Sequence, residues 1–302
     1  MSPFGDTVVV LGYRVGWAAV RALPERAAYA LFDRIADATL ARGGRGVSRL
    51  RANYARVRPD LDPAQLDALV RAGMRAYLRY YCEAFRLPGM SHAEVDRKVR
   101  VEGDGPVRAE FAAGRPVLAF LGHLGNWDLA GAWGTRALAP VVTVAERLEP
   151  EEVYAEFLAF REGLGMTILP LTGGGDVFAQ LRERLDGPVL VPLLADRDLT
   201  GNGVPVDFCG HEASMAVGPA ALAVATGAAL FPVSIRHERR DRTWGIVITF
   251  HDRIHEQHEG SARDKAHAMT QACADVLGDA VRAHTSDWHM LQRVFTADLA
   301  AR

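Results

Sequence analysis

From residue 99 onward the chain alternates short apolar runs with stretches long enough for helices, and this alternation restricts the fold more than any other property. The runs are Val117 to Leu121, Val141 to Ala145, Thr167 to Leu171, Val189 to Leu194, Leu230 to Ile235 and Ile246 to Phe250. Strands separated by ten or more helical residues pair in parallel through crossovers rather than as hairpins. The expectation is an α/β domain, an αβα sandwich whose largely parallel central sheet is flanked by helices on both faces. Ligands are then expected beyond the carboxyl ends of the strands.

Ahead of this body the pattern is helical, giving one domain over residues 1–302 with a basic N-terminal helical extension (1–98) and a catalytic body (99–302). Thr7 to Leu23 is apolar, with Arg14 and Arg21 on one helical face, and stops before Pro24. Glu25 to Ala41 reads as an amphipathic helix with Ala28, Leu31, Phe32, Ile35 and Thr39 inward, and Asp62-Pro63 opens a long helix to about Phe85. Residues 1–100 carry 17 Lys plus Arg against 10 Asp plus Glu, and the rest of the chain 18 against 27. A basic end beside an acidic body suits anionic membrane headgroups or a phosphorylated cofactor, and no nucleic-acid motif accompanies the charge.

Other classes are disfavoured by what the residues do not combine into. Cys82, Cys209 and Cys273 are odd in number and far apart, so neither disulfides nor a zinc site is expected. The uncharged run Ala213 to Ile235 is broken by Gly218-Pro219, Gly227 and Pro232, so it reads as helix plus strand rather than a membrane span. The first twenty residues do not read as a secretory signal. Gly173-Gly174-Gly175-Asp176 lacks the residues of a phosphate loop and reads as a loop before a helix. His251, His255 and His258 fall in a polar segment and read as solvated, and there is no GxSxG elbow.

Chemistry concentrates in Phe120-Leu121-Gly122-His123-Leu124-Gly125-Asn126-Trp127-Asp128, where a buried strand ends in a glycine-flanked turn. On one continuous helix His123 and Asp128 would diverge by roughly 140° at about 3.6 residues per turn, so His123 belongs to the turn. If Asn126 to Asp128 open the next helix, Asp128 is expected to reach one imidazole nitrogen while the other faces the cleft as a base. The amides of Gly125, Asn126 and Trp127 are candidate oxyanion donors. The bland alternative is a turn-capping His and a helix-capping Asp.

The chain resembles the HxxxxD glycerolipid acyltransferases and, within them, the lipid A late-acyltransferase group, most of all the phosphatidylinositol mannoside acyltransferases of actinobacteria. The likeness runs from about Gly12 to Leu291. It rests on Gly122 to Asp128, Thr143-Val144-Ala145-Glu146-Arg147-Leu148, Arg161-Glu162-Gly163-Leu164-Gly165, Ala195-Asp196-Arg197-Asp198-Leu199 and Asp287-Trp288-His289-Met290-Leu291. The resemblance implies transfer of a long-chain acyl group from acyl-CoA, commonly palmitoyl-CoA, to a mannose hydroxyl of a glycolipid acceptor at the cytoplasmic face of the cell membrane, with no cofactor and no metal. It implies His123, Asp128 and Asp196 as catalytic, and Glu146, Arg161, Arg197, Asp198, Trp288 and His289 as substrate-binding. Asp196 stands where that branch carries glutamate. Rival expectations are a lipid A-like transferase using acyl carrier protein, a non-catalytic lipid-binding protein, and a metal hydrolase built on His123, Asp128, Asp196 and Asp198.

Overall fold

The computed structural model describes residues 17, 19–147, 151–199, 201–241, 243–256 and 259–299. Most of the helix expected from Thr7, and His258, lie outside them.

Among the described residues the helices α1 (Glu25–Arg42), α2 (Arg45–Val57) and α3 (Pro63–Arg86) lead into the body. The long α3 starts where Asp62 accepts the Gln65 amide and the Gln65 side chain accepts the Asp62 amide, a reciprocal cap followed by Pro63 at the first helical position. On α1 the inner row is Ala28, Phe32 and Ala36, all buried, whereas Leu31 and Ile35 are 41% and 40% exposed. Of the expected inward face, Ala28 and Phe32 are buried and Thr39 half-buried, whereas Leu31 and Ile35 turn outward. Both Arg71 and Arg75 of α3 fork onto Asp37, which fixes which side of α1 meets α3.

After α4 (His92–Lys98) the chain lays down β1 (Val99–Glu102), α5 (Gly105–Ala112), β2 (Val117–Leu121), α6 (Trp127–Ala137), β3 (Val142–Ala145), α7 (Glu151–Gly163), β4 (Thr167–Pro170), α8 (Val177–Arg184) and β5 (Leu190–Leu194). A hairpin, β6 (Val204–Phe208) and β7 (His211–Met215), precedes α9 (Gly218–Thr226), β8 (Ala229–Arg240), β9 (Thr243–Phe250) and α10 (Ala262–Ala283). The central sheet has the order β1-β9-β8-β2-β5, parallel except between β8 and β9. The parallel pair β3-β4 carries the layer onward, joined to β5 through a bridge between Val141 and Leu190. The sandwich is therefore as expected, with β1 and the β6-β7 hairpin as additions. Neither shows a run of apolar residues: β1 is Val-Arg-Val-Glu and β6 is Val-Pro-Val-Asp-Phe.

Strand β2 is buried at every position, and its alternation divides the core. Leu118 and Phe120 face a cluster with Leu222 of α9 and Leu277 of α10. Val117, Ala119 and Leu121 face another with Leu129 and Trp133 of α6. Both faces being apolar is what a strand central to a parallel sheet requires.

The N-terminal helices are built into the body. Tyr54 is fully buried, donates to the Trp288 carbonyl at 2.9 Å, and lies against Gly73, where a Cβ would collide with its hydroxyl oxygen. Alanine in a helix is favoured over glycine by about 1 kcal/mol, but overpacking a rigid core costs about 1–3 kcal/mol. Gly73→Ala is therefore expected to lower stability by up to about 2 kcal/mol in equilibrium urea unfolding, opposite in sign to its helix propensity.

Candidate active site

Strand β2 ends at Leu121, which pairs with Leu194 of β5. Two residues further along each chain stand His123 and Asp196. The imidazole Nδ1 lies 2.6 Å from Asp196 Oδ1, and the His123 backbone amide donates to Asp196 Oδ2 at 2.9 Å. Trp288 Nε1 donates to the same Oδ2 at 2.9 Å. Asp196 has no exposed surface. Burial alone would raise its pKa, but the charge and hydrogen bonds of His123 and the Trp288 donor hold it below the ordinary carboxylate value. An ionised Asp196 accepting at Nδ1 makes that nitrogen the proton carrier, which leaves Nε2 with the lone pair of a base.

The turn that carries His123 is clamped from behind. Leu124 forms an antiparallel bridge with Trp288, the Gly125 amide donates to the Asp287 carbonyl at 2.9 Å, and the His289 amide donates to the His123 carbonyl at 2.8 Å. Gly125 has φ +59°, and a Cβ there would meet the Ile235 carbonyl oxygen at 2.7 Å, so only glycine fits both the backbone and the space. Asn126 then caps α6, its side chain accepting from the Leu129 amide and donating to Glu83 Oε2.

His123 lines a cavity of about 360 Å³ whose walls are largely apolar, with Phe157, Leu158, Leu181 and Leu222 among them, and whose polar side bears Glu146, Arg161, Arg197 and Asp198. A deeper apolar space of about 80 Å³ lies between α6 and the sheet and shares Trp127, Val144, Arg161 and Leu194 with it. Two larger grooves, of about 560 and 690 Å³, touch neither His123 nor Asp196. Chemistry, not size, selects the site.

A model of the bacterial lipid A biosynthesis acyltransferase family matches residues 6–297. The chain belongs to that family. It is 42% identical over 301 residues to a phosphatidylinositol mannoside acyltransferase of Mycolicibacterium smegmatis, covering 99% of this chain and 95% of that protein. It is 44% and 43% identical over 291 residues to phosphatidylinositol mannoside acyltransferases of two Mycobacterium tuberculosis strains, in each case over 95% of this chain and 89% of the relative.

Within this acyltransferase Asp128 does not reach His123. Its carboxylate accepts from Tyr80 at 2.7 Å and from Arg161 Nε at 2.7 Å, because the second residue of α6 projects toward α3 and α7. The orienting carboxylate arrives instead from the neighbouring strand. The expected oxyanion set narrows as well, since the Gly125 amide is committed to Asp287; the amides of Asn126 and Trp127 at the helix start remain candidates. Trp288 and His289 are buried and serve the turn rather than a substrate. His289 Nε2 bonds the Gly125 carbonyl at 3.0 Å, and burial followed by the neighbouring His237 charge pushes its pKa down to about 3.

The remaining acceptor-side residues separate into two groups. Arg197 meets Glu146 at 3.1 Å, and both line the cavity. Asp198 is turned to the amides of Gly201 and Gly203, shaping a loop. Of the four side chains of the metal-hydrolase alternative, His123 and Asp196 bond each other while Asp128 and Asp198 are held elsewhere, and among the described residues no group of three or more His, Cys, Asp or Glu is placed to hold a metal ion.

Glu83 and His237 escaped the sequence analysis, and Asp287 entered it only within the Asp287 to Leu291 segment without a role of its own; the three form a buried ionic row. His237 Nδ1 lies 2.7 Å from Asp287 Oδ1 and its Nε2 3.3 Å from Glu83 Oε2. The only available hint was a glutamate on an otherwise buried side of α3. Burial opposes the charge on His237, yet the two carboxylates outweigh it and push its pKa up to about 9. A histidine raised by folding contributes its stability fully below the unfolded value of about 6.5 and loses it as pH rises through the folded one. The thermal midpoint is therefore expected to fall as pH rises from about 6.5 through about 9, a slope that calorimetry should find abolished in His237→Gln. Asp196→Asn is expected to lower turnover by about 10²- to 10⁴-fold, the range associated with loss of an oriented base, in a steady-state acyl-transfer assay.

Proposed function

We propose that this acyltransferase moves a long-chain fatty acyl group from acyl-CoA to a mannose hydroxyl of a phosphatidylinositol mannoside, working as a peripheral protein at the cytoplasmic face of the cell membrane. The observation that carries the proposal is the His123–Asp196 pair at the wall of a largely apolar cavity in a protein of the lipid A acyltransferase family. The acceptor and its sugar come from the names of relatives 42–44% identical over nearly the whole chain. The CoA thioester comes from the resemblance of the His123 and Arg161 segments to the HxxxxD acyltransferases.

In this mechanism the mannose oxygen attacks the thioester carbonyl carbon while His123 Nε2 takes the hydroxyl proton. Asp196 keeps the imidazole in the required tautomer and stabilises the imidazolium without being protonated itself. The tetrahedral intermediate carries its charge on the former carbonyl oxygen, near amide donors at the start of α6. Collapse breaks the carbon–sulfur bond, and the departing thiolate receives the proton from His123. Since an ordinary thiol has a pKa of about 8.5, it leaves with little assistance. No enzyme nucleophile is needed, because the acceptor brings its own oxygen.

The cavity's dimensions suit this chemistry. At about 360 Å³ it lies within the 300–1,000 Å³ typical of small-molecule sites, and the deeper apolar space behind it extends the room for hydrocarbon. On its walls Trp127 Nε1 and Arg197 Nε are buried without a hydrogen-bond partner among the described residues, which suits oxygens of a bound substrate. Tyr80 and Arg161 line the same cavity and both bond Asp128, so in this reading the Asp of the HxxxxD spacing acts by holding α3, α6 and α7 together.

Membrane association is supported by the outer face of α1. Ala27, Ala30, Leu31, Ile35 and Ala38 are exposed along one helical stripe beside the exposed Arg34. Among the described residues no helix is long and apolar enough to cross a membrane.

Mass spectrometry after mixing the protein with palmitoyl-CoA and a panel of glycolipids should reveal an acylated mannoside. His123→Ala is expected to lose about 10²- to 10⁴-fold of that rate with its fold intact. Near-normal turnover in that variant would remove His123 as the base, and preference for acyl carrier protein thioesters would reassign the donor. Vesicle co-sedimentation comparing Leu31→Asp/Ile35→Asp with the parent chain checks the surface: loss of lipid binding is expected with activity on detergent-dispersed substrate retained.

A further inference from the structure

The general-base reading of His123 leaves one large buried feature without a task. Glu83, His237 and Asp287 are 3%, 8% and 7% exposed, come from α3, β8 and the turn after α10, and meet 2.7–3.3 Å apart behind the catalytic turn. A row of ionised side chains is costly to bury unless each is paired, and removing one member strands the others. Hydrophobic residues of similar size would have packed α3 against β8 at no such cost. The row must therefore be judged by what it touches.

Each end of it terminates on the His123 turn. Glu83 Oε2 accepts from Asn126 Nδ2 at 2.8 Å, and Asn126 is the cap that starts α6. Asp287 accepts the Gly125 amide on its backbone carbonyl at 2.9 Å, while its carboxylate takes both the ring and the backbone amide of His237. The residues that follow complete the clamp: Trp288 donates to Asp196, and His289 donates to the His123 carbonyl. Displacing Asp287 would shift the amides around the reaction centre together with both members of the His123–Asp196 pair.

We infer that Glu83, His237 and Asp287 are positioning residues for the acyl-transfer step, an ion-paired brace that fixes the height and tilt of the turn from Gly122 to Trp127. The inference deepens the proposed function, since it rests on His123 being the base. None of the three lines the substrate cavity, so substrate affinity is not their concern. Their effect belongs in the transition state, where a misplacement of about 1 Å costs on the order of 10²-fold.

The test compares Glu83→Gln, His237→Gln and Asp287→Asn in the full-length protein, each alone and combined with His123→Ala, using palmitoyl-CoA and a phosphatidylinositol mannoside as substrates. Rates are normalised to the folded fraction from circular dichroism. Alone, each substitution is expected to lower kcat by roughly 10- to 100-fold with both KM values within about threefold of the parent. With His123 already removed, the same change should cost at least about threefold less than it does alone, because the base being positioned is gone and only the amides of the turn remain to be displaced. A merely structural loss would multiply by the same factor in both backgrounds. Should His237→Gln fail to fold, Glu83→Gln keeps the side-chain shape and decides the matter. Normal kcat in the folded variants, a loss confined to KM, or equal losses in both backgrounds overturns the inference while His123→Ala stays inactive. An active His123→Ala removes the base reading and the brace together.

Discussion

Asp196 is a carboxylate with no solvent contact that accepts three hydrogen bonds, and the arrangement of the site follows from keeping it satisfied. Two of its donors belong to His123, the ring and the backbone amide, so the residue that orients the proposed base also fixes the peptide carrying it. The third is Trp288, one of the largest fully buried side chains. A buried anion with unfilled acceptor positions would draw in water or a proton. With all three donors in place it stays ionised and immobile, which is what holding a single tautomer requires.

The dyad is assembled by sheet register. Strands β2 and β5 are neighbours in parallel, and their last paired residues are Leu121 and Leu194, so chain direction carries His123 and Asp196 out of the same edge side by side. The β2-β5 crossover places 73 residues of sequence separation at 2.6 Å. Asp128, only five positions from His123, belongs to a different structure. It neutralises Arg161 and accepts from Tyr80, binding α6 to α7 and α3. Each carboxylate thus has a cationic or imidazole partner of its own, and neither competes for the other's.

The layered architecture was legible because six apolar runs and their spacing admit few alternatives, and the helix bounds were marked by Asp62-Pro63, Asn126, Gly227 and Ser261. His123 stood out for a related reason: an ionisable residue directly after a fully buried strand has nowhere to go but the sheet edge. What escaped was set by contacts between distant segments. No local pattern distinguishes a carboxylate that will face an imidazole from one that will face a guanidinium, and proximity in sequence favoured Asp128 over Asp196. The family resemblance placed Trp288 and His289 among the substrate contacts, whereas both are buried, Trp288 donating to Asp196 and His289 bonding the Gly125 carbonyl. Glu83 and His237 sit on a helix and a strand that otherwise read as core.

The contact between Gly125 and the Ile235 carbonyl has an evolutionary corollary. A turn seated directly on the peptide groups of a neighbouring strand leaves no room for side-chain variation, so altered preference for donor or acceptor cannot arise there without disturbing the reaction itself. The outer wall is under no such restraint: Glu146 and Arg197 are partly open to solvent, and the segment after Asp198 is a loop. The structure thus separates an invariant hearth, seated on the neighbouring strand, from an outer wall whose side chains are open to replacement.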